Sequence, residues 1–168
     1  SVETAIKVYK KIDVAILLVG GFAMGDIAHT DGDILKKMYT LNFETAYHTA
    51  RPIFLQMMKQ VSGGRIILVG AKPALNAKQG KDMIAYGLSK SLLFKLAEYL
   101  NAEGSTNNVV TSVIIPSTID TPQNRASMPD AEFDNWVKPQ VIAEIMAFIC
   151  SDHGMALREP IFKVYGKS

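Results

Sequence analysis

Tyr86 and Lys90 stand four residues apart in the stretch MIAYGLSKSLLF, which otherwise reads as a buried helix. Residues i and i+4 of a helix lie one above the other, so the phenol and the ammonium can share one microenvironment. A free phenol titrates near pH 10, too high to exchange protons readily at neutrality. A fixed cation beside it favours phenolate, and a shift of about two to three units is worth roughly 3 to 4 kcal/mol. A tyrosine so tuned is a usable general acid or base. In an arbitrary helix the same pair means ring packing and a lysine reaching for water along its stem. Position shifts the balance toward chemistry here, because the pair follows a strand-and-loop unit at the sheet edge where ligands bind.

The hydrophobic pattern supplies the elements that must place this pair. Residues 2–12 space apolar side chains among lysines at helical intervals, and residues 14–19 form a continuous apolar run stopped by Gly20 and Gly21. Residues 33–60 are helical in pattern, with Pro52 the one possible break, and Gly63 and Gly64 end them. RIILVGA is a second buried strand, a loop over 72–81 leads into the Tyr86 helix, and that helix runs to about Asn101. VVTSVII is a third strand, followed by a long loop with Pro116, Pro122 and Pro129, a helix over 140–150, and a short strand in IFKVY. Strands buried on both faces that alternate with helices predict a single α/β domain over residues 1–168, a doubly wound parallel sheet between helical layers. Ligands of such sheets sit beyond the carboxyl ends of the strands, which singles out 20–25, 70–73 and 116–125.

Of 168 residues, 48% are hydrophobic and 20% charged, enough for one domain with a sizeable core. The net charge of +2 leaves no electrostatic footprint for nucleic acid or an anionic membrane, and neither is an expected partner. Cys150, the single cysteine, forms no internal disulfide, no Cys/His group has zinc spacing, and no metal is expected. A reducing, cytoplasmic setting fits. VAILLVGGFAM is too short to span a bilayer, and the mixed-charge SVETAIKVYKKID does not read as a signal peptide.

YGLSK after GRIILVGA resembles the active-site segment of the short-chain dehydrogenases/reductases, which carry a Tyr-x-x-x-Lys pair on a Rossmann-type fold. KKIDVAILLVGGF is similar to that family's fourth strand and cofactor-lining glycines, LNFETAYHTAR to its long helix with an embedded asparagine, and IIPSTIDTP to the strand and loop that close over the nicotinamide. Within the family, GAKPAL, IAYGLSK and DTPQNRASMPDAEFDNW resemble the dihydropteridine reductases.

The resemblance implies an NAD(P)H-dependent reductase that passes hydride to a small substrate, a quinonoid dihydropteridine. The alternatives are another carbonyl or quinone substrate, or a non-catalytic dimeric scaffold or sensor of the same fold. It further implies that Tyr86 supplies the proton, that Lys90 lowers the phenol's pKa and holds the nicotinamide ribose, and that Asn42 holds a relay water. Gly20 and Gly21 would let the cofactor approach the backbone, with Pro116, Ile119 and Thr121 lining it and Phe22, Ala71 and Arg125 facing the substrate. The cofactor would be NADH or NADPH, with NADH favoured, although the residue that discriminates them has no counterpart here. The partner would be a second copy, in a homodimer or homotetramer built on the 33–60 and 86–101 helices.

Several departures bear on these expectations. The family's catalytic serine falls at Ala71, and its Asn-Ala-Gly becomes Leu18-Val19-Gly20, both as in the pterin subgroup. Asn42 follows the wider family instead, and the loop between Leu75 and Tyr86 is longer. No glycine-rich turn for a pyrophosphate follows a first strand, so the chain is read as the rear two-thirds of a longer protein. His29, His48 and His153 are too scattered for a triad, and Ser89, a helical step away from the pair, reads as a packing residue. Met57 and Met58 read as a packed helix face, Trp136 as packing, and Arg125 equally as a substrate contact or a loop salt bridge.

Overall fold

The computed structural model describes residues 2–158 and 161–167. In chain order the elements are α1 (Val2–Tyr9), β1 (Val14–Leu17), α2 (Gly32–Tyr39), α3 (Thr45–Met57), β2 (Gly64–Val69), α4 (Ala77–Gly80), α5 (Ile84–Gly104), β3 (Val109–Pro116), α6 (Pro122–Ser127), α7 (Pro139–Cys150) and β4 (Ile161–Val164). The strands lie in the order β1-β2-β3-β4, all parallel, with Val14 opposite Arg65, Arg65 opposite Val110, and Val113 opposite Ile161.

Successive strand residues face opposite sides, so continuous apolar runs supply two cores. Ile66 and Leu68 pack against Ile53, Phe54 and Met57 of α3 and Leu93 and Ala97 of α5. Ile67 and Ile114 pack against Ile142, Met146 and Ile149 of α7. This is the three-layer Rossmann-type arrangement that the sequence predicts. Met57 and Phe54 lie in the core, as the packed-face reading expects.

The long helical stretch is continuous but not uniform. The Asp31 carboxylate caps α2 by accepting from the Ile34 N–H at 2.9 Å. Between α2 and α3 a wider π turn spans Thr40–Glu44, where the Thr45 N–H reaches back to the Thr40 carbonyl. Pro52 does not end α3, since the carbonyl it leaves without a helical partner belongs to exposed His48. Two predicted loops contain helix. The 72–81 segment forms a short 3-10 turn and α4, and the proline loop forms α6, with Pro122 in its first turn and Thr121 as its cap. Proline at a first helical position costs no hydrogen bond, so it starts this helix where a breaker was expected.

At Gly63 a positive φ of 67° turns the chain into β2, and a side chain there would meet the Asn108 carbonyl oxygen at 2.2 Å. Among the described residues no helix is long and apolar enough to cross a membrane.

Candidate active site

The site lies beyond the carboxyl ends of β1 and β2, where α5 passes. The Lys90 side chain is 6% exposed, and its ammonium donates to the carbonyl of Val69, the last residue of β2, at 2.8 Å. Asn42, in the π turn, is fully buried. Such a turn adds one residue to a helical circuit and rotates the side chains after it, a device common at functional sites. The Asn42 amide grips the loop after β1 from both sides. Its Oδ1 accepts from the Gly21 N–H at 2.8 Å, and its Nδ2 donates to the Gly21 carbonyl at 3.0 Å. The other Nδ2 proton goes to Ser89 Oγ on α5, also at 3.0 Å, and that hydroxyl donates to the Tyr86 carbonyl at 2.8 Å.

These contacts explain the two glycines differently from the sequence. A Cβ on Gly20 would stand 2.7 Å from Asn42 Oδ1 and 3.0 Å from Lys90 Nζ, and one on Gly21 would stand 2.3 Å from Leu41 Cδ2. The space a side chain would need at each is taken by the protein's own side chains.

Tyr86 lies in the first turn of α5. Its ring meets the Phe22 ring edge to face, with centroids 5.0 Å apart at 75°. Phe22 is held there because its loop is pinned to the start of α5, where the Gly25 N–H donates to Asp82 at 2.8 Å and the Ile84 N–H to Gly25 at 2.9 Å. Burial pushes the Tyr86 hydroxyl up to about 12 and the Lys90 ammonium down to about 8. The expected lowering of the phenol's pKa by Lys90 is therefore reversed. Among the described residues no hydrogen bond joins the two side chains, and burial, which disfavours the charged form of each, dominates both. At neutral pH the phenol keeps its proton and the amine its charge.

The family model described as short chain dehydrogenase matches residues 1–132. This chain belongs to the short-chain dehydrogenase family. It is 36% identical over 138 residues to a dihydropteridine reductase of Dictyostelium discoideum, an alignment that covers 80% of this chain and 57% of that protein. A short-chain type dehydrogenase/reductase from Mycobacterium ulcerans superposes with a TM-score of 0.88 at 20% identity, over 99% of this chain and 63% of the other. An angucycline C-6 ketoreductase solved with bound NADP superposes with a TM-score of 0.80 at 19% identity, over 98% and 66%. The chain thus spans little more than half the length of the dihydropteridine reductase it matches.

Within this short-chain dehydrogenase fold the remaining expected residues lie after β2, at the end of β3 and in the segment beyond it. Ala71 follows β2 in extended backbone and is buried, leaving no hydroxyl at that point. Buried Pro116 ends β3, and Ile119 pairs with Val137 in an isolated bridge beyond it. Thr121 Oγ1 accepts from the Asn124 N–H at 3.2 Å as the cap of α6. Arg125 is turned to its own loop. Nε and Nη2 donate to the two Asp120 carboxylate oxygens at 2.6 and 2.9 Å, and the guanidinium lies 4.6 Å from the Phe133 ring centre. The loop salt bridge, one of its two readings, is formed. Trp136 packs against Phe133 with centroids 4.9 Å apart.

A nicotinamide cofactor fits the donor set that is present. An ammonium has three donors, and among the described residues Lys90 has spent one, on Val69. Ser89, which the sequence reads as a packing residue, is also a hydrogen-bonding link between α5 and Asn42. It is 2% exposed and bonded at both its hydrogen and its lone pairs. Its spacing of three from Tyr86 is the only signal the sequence carries, and its partner Asn42 lies 47 residues away.

Proposed function

We propose that the protein carrying this chain is a reductase that takes hydride from NADH or NADPH, NADH being favoured, and passes it to a quinonoid dihydropteridine. The observation that carries the reading is the buried Lys90 ammonium, one turn along α5 from a protonated Tyr86, at the carboxyl edge of the sheet. The likeness to the Dictyostelium dihydropteridine reductase supports the substrate class.

The nicotinamide, when bound, supplies the hydride. Lys90 would hold the ribose hydroxyls with the donors Val69 leaves over, and the Gly20–Gly21 backbone with Pro116, Ile119 and Thr121 would hold the nicotinamide. Tyr86 gives its proton to the nitrogen system that accepts the hydride, so a hydride and a proton, two electrons and two protons in all, reach the substrate. A phenol held protonated at neutral pH is in the state a donor needs. The Lys90 charge then stabilises the phenolate left behind. Phe22 provides an apolar flank for a flat substrate, and Asn42 holds the loop against which the ring rests. A quinonoid substrate, readily reduced, needs little polarisation, in keeping with an alanine at position 71.

Leu35, Tyr39, Leu88 and Leu92, each 37–53% exposed, form an apolar cleft between α2 and α5. They support a homodimer or homotetramer built on these helices.

The natural full-length protein, mixed with NADH and quinonoid dihydropterin, should oxidise the cofactor. Tyr86→Phe should remove at least about a hundredfold of that rate, the usual contribution of a positioned acid. A Phe variant at full rate would refute the assignment. The missing hydroxyl at Ala71 favours, as a second reading, a non-catalytic scaffold, whose signature is cofactor binding without oxidation across pterins, quinones and carbonyls.

A further inference from the structure

We infer that Ser89 is a positioning residue, which ties the Asn42 amide to the helix carrying Tyr86 and Lys90 and so sets the Gly20–Gly21 loop against that pair; the catalytic part of this inference rests on the reductase reading above. A serine hydroxyl has one hydrogen. In Ser89 that hydrogen is given to the Tyr86 carbonyl at 2.8 Å, so only lone pairs face Asn42. An oxygen that presents lone pairs accepts an N–H and repels a carbonyl oxygen. Ser89 therefore selects the Nδ2 end of the amide, and Oδ1 is left to face the Gly21 N–H at 2.8 Å.

The consequence is a chain of contacts running from one element to the next. The Tyr86 carbonyl, Ser89, Asn42 and Gly21 are linked by consecutive hydrogen bonds of 2.8, 3.0 and 2.8 Å. The bonds of Gly25 to Asp82 and Ile84 join the same loop to the start of α5, and the Ser89–Asn42 link adds a buried tie one turn further along the helix, level with Lys90. Gly20 sits so close to Asn42 Oδ1 and Lys90 Nζ that a methyl group does not fit between them, at 2.7 and 3.0 Å. Fully buried Asn42 and 2% exposed Ser89 make this link out of contact with water, where a lost partner is not replaced by solvent. Gly21 by itself bonds both ends of the amide, but it lies in a loop; Ser89 lies on α5 and anchors the amide to the helix.

The test uses the natural full-length protein and two readouts. Hydrogen exchange of the Asn42 side-chain amide, followed by NMR after asparagine labelling, should speed up about tenfold in Ser89→Ala, the worth of one hydrogen bond. Turnover with NADH and quinonoid dihydropterin should fall about tenfold in the same variant, with KM for NADH nearly unchanged. In an Asn42→Ala background, Ser89→Ala should cost nothing further, because the residue acts through that amide. Unchanged amide exchange, or a turnover loss that adds in full to that of Asn42→Ala, would overturn the inference. A wild-type protein that oxidises neither NADH nor NADPH would instead overturn the reductase reading, and the exchange measurement would still decide whether Ser89 holds the amide.

Discussion

The Lys90 ammonium, on α5, donates at 2.8 Å to the carbonyl of Val69, the residue that ends β2. One bond cannot repay the removal of a charge from water, and the pKa falls from 10.5 to about 8. The folded state then binds fewer protons than the unfolded chain between about pH 8 and 10.5, so stability rises with pH across that window. Below it the cost is about 3 kcal/mol. Lys90→Met should therefore raise the melting temperature at pH 7 and abolish turnover. The stability gain should shrink toward pH 10.5, and thermal melts at pH 7 and pH 10 decide the matter.

The same titration should shape the activity profile. Lys90 carries its charge below about pH 8 and loses it above, whereas Tyr86 keeps its proton until about 12. Turnover should decline as pH rises through 8, at an alkaline limb set by the lysine. A rate that stays flat to pH 10 would disconnect Lys90 from the reaction.

Asn42→Ala removes the partner of the Gly21 N–H, the Gly21 carbonyl and Ser89 Oγ at once. Buried groups left unbonded cost about 1 to 3 kcal/mol each, with some recovered by relaxation. A loss of about 2 to 4 kcal/mol in denaturant unfolding is expected, among the larger effects of a single substitution.

Two glycine substitutions make an internal control. Gly20→Ala drives a methyl toward Asn42 Oδ1 and Lys90 Nζ, and turnover should fall while the fold persists. Gly32→Ala, at the start of α2 with nothing within 4 Å of the new carbon, should leave turnover alone and stabilise by about 0.5 kcal/mol. Equal effects of the two on turnover would contradict the geometry.

β1 pairs with β2 on one side, and its Val14 and Ile16 are 38% and 43% exposed. Expressed as residues 1–168 alone, the chain should self-associate as concentration rises, since an uncovered apolar edge strand is a template for pairing. Ile16→Lys should reduce that association in sedimentation velocity runs.

The alternation of apolar runs with helical patterns is local, and it made the sheet and its helical layers legible at once. RIILVGA reads as a buried strand, and residues 64–69 form β2. The proline loop was harder to read, because Thr121-Pro122 carries the signal of a helix start inside what resembles a break. The π turn around Asn42 left no mark in a sequence whose apolar spacing runs on through it.

Composition and periodicity by themselves determined the parallel α/β architecture, the carboxyl-end segments to search, and the one-turn register of Tyr86 with Lys90. Those properties depend only on which residues neighbour each other along an element. Packing alone decided that Lys90 bonds to Val69, that Ser89 meets Asn42 47 residues away, that Arg125 turns to Asp120, and that burial raises the phenol's pKa. An ammonium's acceptor and a phenol's solvation are set by elements distant in the chain, and no local spacing encodes how those elements come to rest.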